Sequence, residues 1–366
     1  MKNILFVSQH FNVAGTETFM MNVLRFIDRA HFHIDFLIFS PDYSAYSEEA
    51  ESLGATVYRL PGRRHGLIYY RELKSFFKKK AKEYDVVHWC GGAISSLAPL
   101  YFAYKYKIPV RVVHAHSSKC EGLHNKILHS INRRISMLIF NRFLACSKDA
   151  GCFFFGKRPF HIIRNGINVD SYVYSEKKKS ELLESIGVIQ DKGTFVIGNI
   201  GRLEFVKNQR FILQVFSEVL KKMPKAELLL VGSGTMKDKL VETARGLGIE
   251  EKVHFLGQRS DVCRVLSAID LFLMPSLYEG LPFVLVEAQS AGCQCLLSDV
   301  IATDVELTNH VKFLSLQEPV KSWTDSVIRM YENNHYNRAN DALIVKRKGF
   351  DVQDMVHSVT KIYTGK

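Results

Sequence analysis

The feature of this sequence that most constrains its fold is an alternation of apolar runs of strand length with amphipathic helical segments, which occurs in two series. The first series starts with KNILFVSQ (2–9) and the second with FVIGNIG (195–201). Alternating strands and helices favour parallel sheets, because successive parallel strands need a crossover connection that is usually a helix. We therefore predict an α/β protein with two doubly wound parallel sheets.

The boundary between the two series is a polar stretch, 175–193, that lacks the pattern of a buried strand. It predicts a first domain over 1–170, a connection over 171–193 and a second domain over 194–349. A helix over about 350–366 ends the chain, and we expect it to pack back on the first domain. The length of 366 residues suits two domains of ordinary size.

The positive charge of the chain is concentrated in its first half. Residues 1–170 contain 24 lysines and arginines against 13 aspartates and glutamates, a net +11 of the total +12. A domain with this excess of positive charge could bind nucleic acid, anionic lipid or an anionic substrate. No nucleic-acid-binding module with interleaved aromatic residues is recognisable, so we expect no nucleic-acid partner. The seven cysteines lack zinc-site spacing and indicate reduced thiols in a cytoplasm, and no apolar run reaches the roughly 18 residues of a membrane span.

The stretch SLYEGLPFVLVEAQSAGC (276–293) is typical of a strand end, a tight loop and the start of a helix. Gly280 permits a sharp turn, and the backbone N–H groups of the following helix suit a phosphate. Glu279 and Glu287 lie eight residues apart and could accept hydrogen bonds from hydroxyl groups. A phosphate beside such carboxylates indicates a sugar nucleotide.

The segment NIGRLEFVKN (199–208) lies where the first strand of the second series meets its first helix. Gly201 lets a ligand approach the backbone, and Arg202 and Lys207 could together neutralise a diphosphate. A solvated loop with surface charges is the alternative for either cation alone. The position at the C-terminal end of a strand favours ligand binding.

Two loops of the first series are less specific. Gly15 and the threonines beside it could bind a phosphate or simply form a turn and a helix cap. VVHAHSS (112–118) places His114 and His116 at a strand end, where they could be structural, a metal pair without a visible third ligand, or part of a site. His116 lies nearer the ligand edge of the sheet and is our candidate.

The helical segment 124–143 has one apolar stripe and a basic opposite side. A regular stripe usually packs against a core, so we expect it to be buried. The basic side could contact an anionic membrane surface. The stripe consists of Ile127, Leu128, Ile131, Ile135, Leu138 and Ile139.

In order along the chain, these blocks resemble the retaining glycosyltransferases of the GT-B fold, family four, most closely the enzymes of bacterial capsular and exopolysaccharide synthesis. The resemblance covers essentially the whole chain and departs at two positions. Ala14 replaces the first of two adjacent glycines, and Asn168 replaces a usual aspartate. The matching blocks are AGTETFMMNVLRFID, GGAISS, HAHSS, ACSKDAG, RNGINVD, GRLEFVKN, LLLVGSG, FLGQRSDV and SLYEGLPFVLVEAQSAG.

The resemblance implies two Rossmann-like domains that face each other across a cleft, with a UDP-sugar held mainly by the second. It implies a catalytic set of His116, Glu279, Arg202 and Lys207. The donor-binding residues that it implies are Gly15 in the glycine loop, Gly201, Arg202 and Lys207 at the diphosphate, Gly257 and Arg259 near the base, Glu279, Gly280 and Leu281 at the sugar and phosphate, and Glu287 at the ribose.

The function that the resemblance implies is transfer of a hexose from a UDP-sugar to a saccharide acceptor, which we expect to be lipid-linked, in exopolysaccharide or capsule synthesis. Such enzymes retain the anomeric configuration and need neither a divalent metal nor another cofactor. The basic first domain adds the expectation of a cytoplasmic enzyme at the inner face of the cell membrane. Two alternatives stay open: a nonhydrolysing UDP-sugar epimerase of the same architecture, and a non-catalytic sugar-nucleotide-binding subunit.

Overall fold

The computed structural model describes residues 1–12, 15–41, 43–120, 122–191, 193–279, 282–333 and 336–365. The chain forms two compact units, one of Met1–Gly166 with Val352–Lys366 and one of Ile167–Asp351. Each unit is built on a parallel sheet, so the α/β class predicted from the two series is confirmed.

The first unit contains a seven-stranded sheet in the order β3-β2-β1-β4-β5-β6-β7. Its central strands are apolar and buried, as parallel strands covered by helices on both faces must be. The strands are β1 (Lys2–Ser8), β2 (Phe32–Ile38), β3 (Val57–Arg59), β4 (Val86–Gly91), β5 (Val110–Ala115), β6 (Arg142–Ala145) and β7 (His161–Ile162), and the helices that alternate with them are α1 (Gly15–Phe26), α2 (Ala45–Ser52), α3 (Leu67–Lys80), α4 (Ala98–Lys105), α5 (Leu123–Ile139) and α6 (Lys148–Phe155).

The second unit contains a six-stranded sheet in the order β10-β9-β8-β11-β12-β13. The last strand was not predicted, because it is short and only half-buried at the edge of the sheet. Its helices and strands are α7 (Glu176–Ser185), β8 (Phe195–Ile200), α8 (Gln209–Lys222), β9 (Ala226–Val231), α9 (Lys237–Gly246), β10 (Val253–Gly257), α10 (Val262–Ala268), β11 (Leu271–Met274), α11 (Phe283–Ser290), β12 (Gln294–Ser298), β13 (Val311–Leu314), α12 (Val320–Glu332) and α13 (Ala339–Val345).

Two segments that lie outside the two strand–helix series each belong to one of the two compact units. The stretch 171–193, interpreted from the sequence as a connection, contains α7 and is part of the second unit. Leu182 and Leu183 on α7 are fully buried in its core, which explains that placement. The terminal helix α14 (Val352–Thr364) belongs to the first unit, where it packs on α1.

Each sheet has one point where the strand order reverses direction, and this point predicts where a ligand binds. In the first sheet it lies between β1 and β4, and in the second between β8 and β11. Open α/β sheets bind ligands beyond the C-terminal ends of the strands at such a switch point. The loops that follow β1, β4, β8 and β11 are therefore the first places to search for a site.

Candidate active site

The loop after β8 and the loop after β11 are tied together at the switch point of the second sheet. The chain leaves β8 through Gly201 and Arg202, and forms a short 3₁₀ turn, Phe205–Lys207, before α8 begins. Asn208 adopts a left-handed backbone conformation with φ of 57°. Its side-chain amide donates a hydrogen bond of 3.0 Å to the carbonyl oxygen of Pro275, just beyond β11. This contact fixes the turn that presents Lys207.

Lys207 and Glu279 form an ion pair at this edge. The Nζ atom of Lys207 lies 2.5 Å from the Oε1 atom of Glu279, and their side chains are only 16% and 10% exposed. The ammonium group has three N–H donors and the carboxylate two acceptor oxygens, so one contact leaves capacity on both groups. The structure thus brings together two predicted site residues that are far apart in sequence.

Arg202 lies in the same loop with a different environment. Its side chain is exposed, and within the described ranges it forms no hydrogen bond or ion pair with another side chain. Gly201, beside it, is not crowded: a Cβ atom there would lie 3.6 Å from the Cε atom of Lys207, an ordinary contact. Arg202 is therefore a cation open to a ligand next to the buried pair.

The loop after β9 also shapes this edge of the sheet. Sequence reasoning did not assign this loop to the site. Gly232 has a φ of 137°, and a Cβ atom there would collide with the carbonyl oxygen of Gly201. A Cβ atom on Gly234 would collide with the carbonyl oxygen of Leu203. The two loops therefore pack backbone to backbone, which only glycine permits. The two glycines in the block LLLVGSG are the sequence feature that could have indicated this close packing.

Glu287 lies on α11 and accepts a hydrogen bond of 2.8 Å from the hydroxyl group of Tyr172. Burial raises the pKa of Glu287, and this hydrogen bond opposes the rise by stabilising the charged form. Tyr172 is a second residue that sequence reasoning missed, since it lies 115 residues away along the chain. Gly280 and Leu281, predicted at the donor sugar, lie outside the described residues.

Arg259 is engaged by a neighbouring carboxylate. Its Nε and Nη2 atoms donate hydrogen bonds of 2.8 and 2.7 Å to Asp261, and these bonds raise its pKa. Gly257 ends β10 with φ of +66°, and its carbonyl oxygen accepts a bond of 2.8 Å from the N–H group of Gly232. Gly257 thus belongs to the same connected set of loops, whereas the Arg259 guanidinium is oriented by Asp261.

In the first unit, His116 follows directly on β5. Its ring lies against His114, with centroids 4.1 Å apart, and near Phe19 at 5.1 Å. Both ring nitrogens are inaccessible to solvent, and neither has a hydrogen-bond partner among the described residues. This burial lowers the pKa of His116 to about 3, so the ring is neutral at physiological pH. Gly15 lies in the same unit, at the exposed first residue of α1.

Buried polar groups lie next to His116. The Nδ1 atom of His88 is 2.6 Å from the hydroxyl oxygen of Tyr363 on α14, and its Nε2 atom is 3.2 Å from Nδ1 of His114. Ligand atoms of His88, Cys90 and His114 lie within 4.8 Å of one another, close enough to hold a metal ion. Both His88 nitrogens are already engaged within the protein, which favours a hydrogen-bonded chain over a metal site.

The switch point of the first sheet opens into a pocket of about 720 Å³. Glu17, on the first turn of α1, lines the pocket and is 7% exposed. Burial raises the pKa of Glu17, while hydrogen bonds to its own backbone and to Ser8 oppose the rise. Arg63 and Trp89 also line the pocket. Sequence reasoning missed all three, although Glu17 follows the Gly15 loop directly.

Both halves of the chain resemble known protein families. The family models "Glycosyltransferase Family 4" and "Glycosyl transferases group 1" match residues 13–171 and 185–344. EpsF of Bacillus subtilis (strain 168), which is named as a glycosyltransferase, is 30% identical to this chain over an alignment of 382 positions. The alignment covers 99% of this chain and 96% of EpsF. CapH of Staphylococcus aureus, a capsular polysaccharide biosynthesis glycosyltransferase, is 24% identical over 100% of this chain and 99% of CapH.

A solved structure shows the same fold. Anabaena HepE, crystallised in complex with UDP and glucose, superimposes with a TM-score of 0.78 at 19% identity, covering 100% of both chains.

Proposed function

This chain belongs to the family-four glycosyltransferases of the GT-B fold, and we propose that it transfers a hexose from a UDP-sugar to a lipid-linked saccharide with retention of the anomeric configuration. The enzyme class follows from the family, and polysaccharide synthesis from the relatives that the chain resembles. The donor, the stereochemistry and the acceptor are our proposal.

The observation that carries the proposal is the Lys207–Glu279 pair at the switch point of the second sheet. Lys207 has donors left for a phosphate, and Arg202 in the same loop is open to solvent. Two cations there suit a diphosphate, which is the part of a UDP-sugar that leaves during transfer. The Anabaena structure, which binds UDP and glucose, supports UDP as the nucleotide.

In the reaction that we propose, the bond between the anomeric carbon and the β-phosphate oxygen breaks as the acceptor oxygen attacks from the same face. The acceptor proton passes to the leaving phosphate oxygen. Negative charge builds on the diphosphate during this step, and Lys207 and Arg202 stabilise it there. The two cations supply the charge that a divalent metal supplies in other transferases, so we propose that none is required.

The two glutamates take different parts of the donor in this proposal. Glu279 keeps one carboxylate oxygen for Lys207 and offers the other to a hydroxyl group of the transferred sugar. Glu287, whose carboxylate is oriented by the Tyr172 hydroxyl group, accepts a hydrogen bond from the ribose. The ring of His116 in the first unit is neutral, so the role that we propose for it is that of a hydrogen-bonding group rather than of a charge.

We further propose that the first unit binds an anionic membrane at the inner face of the cell. Among the described residues, no helix is both long and apolar enough to cross a bilayer. The predicted burial of the α5 stripe is confirmed for Ile139, which is 7% exposed, but was wrong for Ile127, Ile131 and Leu138, which are 52%, 53% and 80% exposed. Exposed Lys126 and Arg134 lie on the same helix. An apolar face flanked by cations is typical of helices that lie in a membrane interface.

Donor binding tests the proposal first. A panel of UDP-sugars, GDP-sugars and ADP-sugars is screened by thermal unfolding, because a ligand that binds only the folded protein raises its stability. We expect a UDP-hexose to give the largest shift, and Lys207→Ala to reduce it. A larger shift with another nucleotide would overturn the proposed donor.

Turnover separates the proposal from its alternatives. The enzyme is incubated with the identified UDP-hexose and synthetic saccharides linked through diphosphate to farnesol, and the product is examined by NMR. We expect the donor configuration at the new linkage, before and after treatment with EDTA. An inverted linkage would overturn retention, loss of turnover with EDTA would overturn metal independence, and an epimer formed without acceptor would indicate an epimerase. Donor binding with no turnover would indicate a binding subunit.

A further inference from the structure

Three buried side chains of the first unit form one hydrogen-bonded series that starts on the terminal helix. The hydroxyl oxygen of Tyr363, on α14, lies 2.6 Å from Nδ1 of His88 on β4. Nε2 of His88 lies 3.2 Å from Nδ1 of His114 on β5. None of the three side chains is more than 1% exposed. We call these three residues the tyrosine–histidine network, and the proposed reaction gives the network no role so far.

The length of the first hydrogen bond identifies its donor. N–H donors lie about 2.7–3.2 Å from an oxygen atom, whereas O–H donors approach their acceptors to about 2.5–3.0 Å. The separation of 2.6 Å therefore indicates that the Tyr363 hydroxyl group donates to Nδ1 of His88. A buried hydroxyl proton also needs an acceptor, and Nδ1 of His88 is the one that the described residues provide.

This direction determines which nitrogen carries the proton in each histidine. Burial lowers the pKa of His88 and of His114 well below the ordinary value, so both rings are neutral and each has one N–H group. His88 accepts at Nδ1, and its Nε2–H group therefore donates to Nδ1 of His114. The proton of His114 is then on Nε2, a buried atom that has no partner in the part of the chain that the structure describes.

The network ends against His116, the histidine that we propose for the site. The ring centroids of His114 and His116 are 4.1 Å apart, and the ring planes are inclined by 43°. Phe19 contacts both rings, with its centroid 4.7 Å from that of His114 and 5.1 Å from that of His116. Neither nitrogen of His116 has a hydrogen-bond partner within the described ranges. Packing against neighbouring rings, rather than a hydrogen bond, therefore orients His116.

We propose that Tyr363 and His88 are positioning residues for glycosyl transfer. From the terminal helix they fix the ring of His114, which cannot rotate without losing its hydrogen bond to His88. The fixed His114 ring holds His116 in the orientation that its role as a hydrogen-bonding group requires. This inference rests on the proposed function, and it gives α14 a part in the reaction in addition to its part in the core.

NMR of the histidine rings tests the network without any turnover. In the full chain labelled with ¹⁵N at histidine, long-range ¹H–¹⁵N correlation distinguishes the two neutral tautomers, and His88→Gln and His114→Gln identify the two signals. We expect the Nε2–H tautomer for both rings at neutral pH. Tyr363→Phe should add an Nδ1–H population at both, because either direction of the His88–His114 bond then leaves one N–H group without a partner.

Kinetics of transfer tests the positioning. Tyr363→Phe should lower kcat by roughly tenfold, because a small misplacement of a group in a site lowers the rate, and should leave the affinity for UDP unchanged. The matched control is Tyr84→Phe, which removes another buried hydroxyl group of the first unit, bonded at 2.8 Å to Asp35. Tyr84→Phe should lower the unfolding temperature to a similar extent and keep the wild-type kcat and tautomers.

A double variant shows whether Tyr363 acts through His116. Adding Tyr363→Phe to His116→Ala should lower kcat no further, because the residue to be positioned is already gone. A further loss in the double variant, a wild-type kcat in Tyr363→Phe, or an equal loss in Tyr84→Phe would overturn the positioning role.

Two other results would overturn the network itself. One is an Nδ1–H tautomer of His88 in the wild type, or tautomers that Tyr363→Phe does not change. The other is one equivalent of bound zinc that Cys90→Ser releases, because a metal ion would then hold the rings of His88 and His114. If the wild type transfers no sugar, the proposed function fails and the positioning role with it, while the tautomers decide separately whether the network exists.

Discussion

At the scale of single residues, the Lys207–Glu279 ion pair is the central contact of the donor site that we propose. Removing Lys207 leaves a mostly buried carboxylate without its cation and, in the proposed mechanism, removes a donor to the leaving phosphate. We expect Lys207→Ala to lower kcat by about 100-fold, the usual effect of losing one stabilising group in a transition state. Steady-state transfer measures this. The matched control is Lys221→Ala, which breaks an exposed lysine–glutamate pair on α8.

Glu279→Gln separates charge from shape at the same site. The glutamine keeps the size of the side chain and a carbonyl oxygen for a sugar hydroxyl group, but it no longer holds Lys207 by charge. We expect a loss of transfer with a nearly unchanged unfolding temperature. Transfer at the wild-type rate by both Glu279→Gln and Lys207→Ala would contradict the assignment of this pair to the donor.

His116 gives a residue-scale prediction about pH. Burial lowers its pKa in the folded protein to about 3, below the ordinary value of 6.5. Below pH 6.5 the unfolded chain therefore takes up a proton that the folded chain does not, and stability falls as the pH decreases. Between pH 7 and 5.5 this effect amounts to about 1 kcal/mol for one histidine.

Urea denaturation at several pH values checks this prediction. Between pH 7 and 5.5, the free energy of unfolding of His116→Gln should fall by about 1 kcal/mol less than that of the wild type. His357→Gln, which replaces an exposed histidine on α14, is the control for the loss of a histidine that is not buried. An identical pH dependence for His116→Gln and wild type would show that the ring is not held neutral in the folded protein.

At the scale of elements, α5 shows what periodicity can and cannot predict. The spacing of its apolar residues correctly indicated a helix, but it does not say which face meets the protein. His129 accepts a hydrogen bond from the N–H group of Ile94, and Asn132 donates one to the carbonyl oxygen of the same residue. These polar contacts anchor the polar side of α5 and leave part of the apolar stripe exposed.

The membrane prediction belongs to this helix. Leu138→Glu places a negative charge at the most exposed position of the stripe, and we expect it to reduce binding to vesicles that contain about 30% anionic lipid, since both the apolar and the electrostatic attraction weaken. Co-sedimentation at low salt measures the bound fraction. Ile189→Glu is the control, because Ile189 is 85% exposed in the second unit. Equal binding by wild type and Leu138→Glu would exclude this face.

The elements that could be predicted from sequence are those determined by local pattern. The apolar runs at 2–9 and 195–201 became central strands, and the loops beyond them became the edges where the candidate sites lie. Contacts between distant segments could not be predicted in this way. Tyr172 reaches Glu287 across 115 residues, and the backbone packing of Gly232 on Gly201 depends on how two loops meet.

At the scale of the whole molecule, the chain returns to its first unit after completing the second. On α14, the side chains of Met355, Val359 and Tyr363 are buried. The sulfur atom of Met355 accepts a hydrogen bond of 3.2 Å from the N–H group of Gly166, and the Tyr363 hydroxyl oxygen lies 2.6 Å from Nδ1 of His88. The last residues of the chain thus complete the core of the first unit.

A chain that ends after Asp351 should therefore lose stability in the first unit alone. We expect a lower unfolding temperature and protease cleavage sites within 1–166, while affinity for the UDP-sugar stays near the wild-type value. Tyr363→Phe is the milder variant and should cost about 1 kcal/mol, as expected for one buried hydrogen bond. Differential scanning calorimetry, mass spectrometry of the fragments and donor titration measure these effects. Equal protease resistance of residues 1–166 in the truncated and full chains would mean that α14 does not hold the first unit together.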